Sequence, residues 1–170
     1  MISHTLNIFR LLLFATVLTW SAQPVIAQDD ADDSDTVAKV VYHADFADPR
    51  RFSAMLTSIN NMVTFYQNDL IDYDVRIVFV AHGIRFLTSD KLKDTPFSSD
   101  AALEERRDNL RGRLSALNSV QDVKLELCDI TRTGISLPED ALYKGVKLVP
   151  SGVVRIADLQ TRGYAYIKIE

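Results

Sequence analysis

Seven consecutive residues, Val75-Arg76-Ile77-Val78-Phe79-Val80-Ala81, are apolar but for one arginine. A run this short and this rich in β-branched residues predicts a strand covered on both faces, the usual condition inside a parallel sheet. Parallel neighbours cannot be joined by tight hairpins, so crossover helices must lie between them. The flanking sequence supplies both strands and helices. Val37 to His43 reads as a short strand ending at Ala44-Asp45. From Pro49, which suits a first helical turn, Phe52, Met55, Leu56, Ile59, Met62, Val63 and Tyr66 recur at spacings of three and four and predict an amphipathic helix. Asn60 and Asn61 interrupt it, and a buried amide there must be hydrogen-bonded, either to a neighbouring loop or to a ligand.

After His82-Gly83 and a polar loop containing Pro96, Leu103, Leu110, Leu114 and Leu117 mark a second helix. Its Arg106, Arg107, Arg111 and Arg113 are interspersed with Glu104, Glu105 and Asp108, the pattern of a solvated face. Val123 to Leu127 alternates as a strand and runs into Cys128, with a short helix expected beyond. Val146 to Val149 is a fourth strand. Ser151 is placed to cap a helix through Gln160 that Gly163 closes, and Tyr164 to Ile169 is a fifth strand. The order predicts an α/β fold, a three-layer sandwich around a mostly parallel five-stranded sheet with helices on both faces. No internal repeat or second domain is visible, so residues 37–170 form one domain.

The preceding residues read as an address. Arg10 precedes the apolar run Leu11 to Trp20, which is too short to span a bilayer comfortably, and Val25-Ile26-Ala27 offers a cleavage site. Residues 1–27 are therefore expected to be a signal peptide cleaved after Ala27, with an uncleaved N-terminal anchor as the alternative. The expected location is periplasmic or secreted, with no membrane span after cleavage. Residues 28–36 carry five aspartates and no basic residue, the composition of a disordered acidic leader. The chain's net charge of −4 comes from this stretch, since residues 37–170 hold eighteen basic and eighteen acidic residues. Nucleic acid is not an expected partner of so neutral a body.

The single cysteine rules out an internal disulfide and a Cys-x-x-Cys motif. No Gly-x-Gly, Walker, Gly-x-Ser-x-Gly or His-Glu-x-x-His sequence occurs, which removes the familiar dehydrogenases, nucleotide hydrolases, esterases and zinc proteases. No cofactor is expected. In open α/β sheets, functional groups gather beyond the carboxyl ends of the strands. His43, His82 and Cys128 follow the first, second and third strands, and in a flavodoxin-like order, with the first strand between the other two, they would converge. Each also has an ordinary structural role: a turn histidine, or a cysteine acting as a small buried hydrophobe. For Cys128 to work as a nucleophile it must emerge into an accessible hollow at the sheet rim. A following helix N-terminus, Thr131, Thr133 and Arg132 would favour the thiolate, and Asp129 would oppose it if it points the same way.

The sequence resembles the DsrE/DsrF-like family. The resemblance is carried by Val40-Val41-Tyr42-His43, Asn60, Val78-Phe79-Val80-Ala81-His82-Gly83, Val123-Lys124-Leu125-Glu126-Leu127-Cys128, and Gly145-Val146-Lys147-Leu148-Val149-Pro150-Ser151-Gly152 through Gln160, Gly163, Tyr164 and Tyr166. It implies a DsrE-like five-stranded sheet, assembly into a homo-oligomer (trimer or hexamer) and, in the sulfur-relay branch, a cysteine that carries a persulfide. Cys128 matches that cysteine in placement. The leading expectation is an exported sulfur carrier in which Cys128 takes sulfane sulfur from a donor and passes it to an acceptor protein, with His82, Asn60, His43 and Ser151 as binding residues. The alternatives are a non-enzymatic oligomeric module that binds a small ligand, or a metal through His43, His82 and Cys128, and a structural oligomer with an inert thiol.

Overall fold

The computed structural model describes residues 37–170, so the expected signal peptide and acidic leader lie outside the described residues. The elements in chain order are β1 (Ala38–Ala44), α1 (Pro49–Asn68), β2 (Tyr73–Phe79), α2 (Ala101–Ser119), β3 (Lys124–Cys128), α3 (Asp129–Gly134), β4 (Val146–Val149), α4 (Gly152–Thr161) and β5 (Ala165–Ile167). All five strands form one sheet in the order β4-β3-β2-β1-β5, and every pairing is parallel. The α/β sandwich with a five-stranded parallel sheet is as the sequence predicts. The strand order differs from the flavodoxin-like arrangement: β2, not β1, lies between its two neighbours. The chain steps steadily from β1 to β4 and then crosses back to lay β5 beside β1.

Alternation along the strands assigns each side chain to one of two unequal layers. Val40, Tyr42, Val75, Ile77, Phe79, Leu125 and Leu127 face α1 and α2 and form the larger core. The helical residues that meet them are those picked out by periodicity. Phe52, Met55, Leu56, Ile59 and Val63 are buried on α1, and Leu103, Leu110, Leu114 and Leu117 on α2. Asp48 caps α1 by accepting from the Arg50 amide at 2.7 Å, with Pro49 in the first turn, and Asp100 caps α2 through the Leu103 amide at 2.9 Å. The arginines of α2 do not form a uniformly solvated face. Arg107 donates to the carbonyls of Thr88 and Arg85, and Arg113 bridges to Ser53 and Thr57 of α1. Two of the four thus tie the helix to its surroundings.

The second layer is thin. Among the described residues, α4 covers this side, through Ile156 and Leu159 packed on Val41, Val78 and Tyr164. Around that small apolar cluster the sheet carries charges. Glu126 of β3, its side chain 5 % exposed, receives Arg76 Nη1 from β2 at 2.7 Å and Arg155 Nε from α4 at 2.7 Å. Arg76 also donates to Asp74, and the Tyr164 hydroxyl donates to Asp74 at 2.9 Å. Burial alone would raise the Glu126 pKa, but the two guanidiniums outweigh it and hold the carboxyl below its usual range. A depressed carboxylate pKa contributes stability that is complete above the unfolded value of about 4.3 and is lost as pH falls through the folded value. Glu126→Gln should destabilise the domain by about 3 kcal/mol at neutral pH, because it takes a buried anion away from two half-buried guanidiniums. Urea titrations of both proteins across pH 3 to 7 should show wild type converging on the variant in acid.

Candidate functional site

Cys128 is the last residue of β3 and the N-cap residue of α3. It shares the α4 side of the strand with Glu126, two residues earlier. Pro150-Ser151-Gly152 brings β4 to an end beside it, and Ser151 caps α4 as predicted, with its Oγ accepting from the Val154 amide at 3.5 Å. The next residue must be glycine for a steric reason. A Cβ on Gly152 would lie 2.6 Å from Val80 Cγ2 and 3.0 Å from Cys128 Cβ. The start of α4 therefore rests directly on the cysteine, and the beginnings of two helices meet at one side chain.

The expected open hollow is absent at Cys128, which is only 5 % exposed. The sulfur makes no side-chain capping bond to α3, as befits a thiol, which is a weak acceptor. As an anion it is better served. Burial raises the pKa, but the backbone amides of Gly152, Thr131 and Ile130 and the Thr131 hydroxyl favour the charged form, and the balance lies below the ordinary thiol range. Thr131 Oγ1 itself accepts from the Ala81 amide at 3.1 Å, leaving its proton free to turn toward sulfur. Ala81 adopts φ +48°, a left-handed conformation uncommon for a residue with a Cβ. Asp129 does not oppose the thiolate as feared from sequence, because its carboxylate pairs with Arg132 Nε at 2.7 Å.

His43 does not converge with Cys128. β2 separates β1 from β3, which sets His43 about 10 Å away across two strand spacings. His43 Nδ1 instead meets the Tyr166 hydroxyl of β5 at 2.9 Å, and Nε2 lies 3.9 Å from Asp45 without a hydrogen-bond partner. Burial lowers its pKa, against the pull of Asp45. His82 falls just past β2 in a 3-10 helix, Ala81–Phe86, with its ring edge-on to Phe97 at 5.3 Å. Gly83 beside it packs under the end of β1, where a Cβ would meet the Ala44 carbonyl oxygen at 2.1 Å. Among the described residues, no three His, Cys, Asp or Glu side chains are grouped to hold a metal ion.

Asn60 is exposed and lies far from the thiol. Because α1 runs back against the strand direction, its second half reaches the strand starts, where Asn60 accepts from Gln121, just before β3, at 3.3 Å. It lines a cleft of about 390 Å³ between α1 and α2. Sequence reasoning passed over Gly152, Glu126 and Arg155. The first has a signal in hindsight, a glycine placed immediately after a helix-capping serine, and the others an acid inside an apolar strand and a base in the first turn of the helix that comes to cover it.

The arrangement provides a small, water-poor seat for a sulfur anion, with hydrogen-bond donors on several sides. Gly152→Ala should push the start of α4 off the cysteine and cost about 1–3 kcal/mol of stability, measured by chemical denaturation.

Comparison with known proteins agrees with the fold. A protein of unknown function from Methanobacterium thermoautotrophicum, MTH1491, superposes with a TM-score of 0.58 at 27 % identity, over 77 % of this chain and 98 % of that one. The YchN protein of E. coli gives a TM-score of 0.48 at 17 % identity, over 78 % of this chain and 99 % of its own. No match was found among curated proteins. Among the described residues, no helix is long and apolar enough to cross a membrane. The model of the DsrE/DsrF-like family matches residues 37–169, the whole sheet and all its crossovers, and the chain belongs to that family.

Proposed function

We propose that this protein is an exported sulfur carrier, in which the Cys128 thiolate accepts a sulfane sulfur as a persulfide and passes it to an acceptor protein. The observation that carries this reading is the placement of Cys128 at the start of α3 with the first residue of α4 packed on its Cβ; the amides of these two helix starts and the Thr131 hydroxyl favour the thiolate and hold the pKa below the ordinary thiol range. A thiolate attacks the terminal sulfur of a donor persulfide, the donor's S–S bond breaks as a new one forms on Cys128, and the donor leaves as its own thiolate. Sulfur changes hands without net oxidation or reduction. The 5 % exposure of Cys128 favours a slim persulfide tail over a bulky disulfide as donor.

Export is supported by the apolar run after Arg10 and the small-residue site at Val25-Ile26-Ala27. Assembly into a homo-oligomer, a trimer or hexamer, is supported by the thin α4 layer. There Ile130, Val153 and Val154 are each about two-thirds exposed, close to Cys128 in sequence or across the helix start.

Intact-mass analysis after treatment with an organic persulfide should show a gain of one sulfur in wild type and none in Cys128→Ser. The same mass gain, or no gain, in both proteins removes the carrier role. N-terminal sequencing of protein recovered from outside the cytoplasm should begin at Gln28, and a chain retained in the cytoplasm with Met1 intact removes export.

A further inference from the structure

Beyond its apolar contacts, α4 is fastened to the sheet by Arg155. This residue, one turn after the Ser151 cap, donates Nε to Glu126 Oε2 at 2.7 Å and Nη2 to Glu126 Oε1 at 2.9 Å. Its remaining nitrogen, Nη1, is braced by Asp158 at 3.0 Å. Glu126 precedes Cys128 by two residues and so lies on the same side of β3. A two-pronged bond from a planar guanidinium to a carboxylate fixes direction as well as distance. It therefore sets both the height and the rotation of the first turn of α4 above β3. That turn sits close on the strand ends, since a Cβ on Gly152 would lie 2.6 Å from Val80 Cγ2 and 3.0 Å from Cys128 Cβ. An outward drift of the turn takes the Gly152 amide away from the sulfur, and hydrogen bonds weaken steeply with distance and angle.

We propose that Arg155, gripped by Glu126, is a positioning residue for Cys128: the bridge keeps the start of α4 seated so that Gly152 stays packed on the cysteine. The inference rests on the reading of Cys128 as a working thiolate and adds what holds its surroundings in place. The charges on the other packed elements do not offer an equivalent device. Asp129 and Arg132 of α3 satisfy each other, Arg76 of β2 is shared between Asp74 and Glu126, and His82 of the 3-10 helix sits against Phe97. Position, rather than the bare charge of Arg155, is what the bridge controls.

The test is the rate of Cys128 alkylation by iodoacetamide across pH, in the full chain, with circular dichroism to verify folding. Wild type should show a midpoint below the ordinary thiol value of about 8.5. Arg155→Met, and Arg155→Lys, which keeps the charge but not the fork, should both raise it by about one unit, roughly a tenfold loss of thiolate near neutrality. Asp158→Asn, which loosens Arg155 while leaving Glu126 paired, should raise it by less, and it decides the question if the Arg155 variants do not fold. An unshifted midpoint in a folded Arg155→Met or in Asp158→Asn overturns the proposal, as does an Arg155→Lys protein indistinguishable from wild type. A wild-type midpoint already at the ordinary value defeats the carrier reading itself, an outcome separate from a failure of the positioning role.

Discussion

A buried carboxylate between two guanidiniums organises the thin side of this molecule. Glu126 joins β3 to β2 through Arg76 and to α4 through Arg155, so one side chain ties together two strands and the helix that packs on that face. Such a cluster contributes less net stability than a hydrocarbon core of the same size, because every charge must first be stripped of water. It contributes direction instead. The apolar patch beneath α4 is small, and its contacts are non-directional, so they would permit the helix to slide or rotate. The forked bond removes that freedom.

The site and its support are therefore two ends of one short lever. Gly152 touches Cys128, Arg155 grips Glu126, and both contacts lie within the first turn of α4. The sheet is set by burial along every strand and the rim by a few side chains, which is why membership in a fold family speaks more clearly about architecture than about chemistry.

Much of the architecture was legible in the sequence because burial on two faces imposes patterns that survive without neighbours. The apolar run around Val78 and the spacing of Leu103, Leu110, Leu114 and Leu117 each state locally what they do globally. Strand order was not legible. It depends on which edge each crossover reaches, and the composition of α1 or α4 carries no record of that. The consequence fell on His43, which a central β1 would have placed beside Cys128 and which the actual order gives to Tyr166. Asn60 bonds to the loop before β3, one of the two partners expected for it, and its distance from Cys128 was illegible for a related reason: helical spacing tells which face a residue occupies, but not which end of the neighbouring sheet it overlies. The second strand was also expected to run through Ala81, yet it ends at Phe79, and the chain then turns so that the Ala81 amide reaches Thr131. Cys128 was located correctly at the end of β3. Its burial, one of the two roles open to it from sequence, is completed by Gly152, which reaches it from β4's far end across a stretch of chain whose path the sequence does not disclose.

The return crossing from β4 to β5 bears on the order in which the molecule assembles. Contacts among β1 to β4 close loops between successive elements, whereas β5 finds β1 only after nearly the whole domain has been made: the pair His43 and Tyr166 is 123 residues apart in sequence. Three residues of edge strand must repay that closure entropy. The carboxyl-terminal strand is accordingly the last to dock and the first to open, and its amides should exchange with solvent well ahead of those in β2, so that the histidine at the end of β1 is periodically released while the cysteine two strands away stays shut.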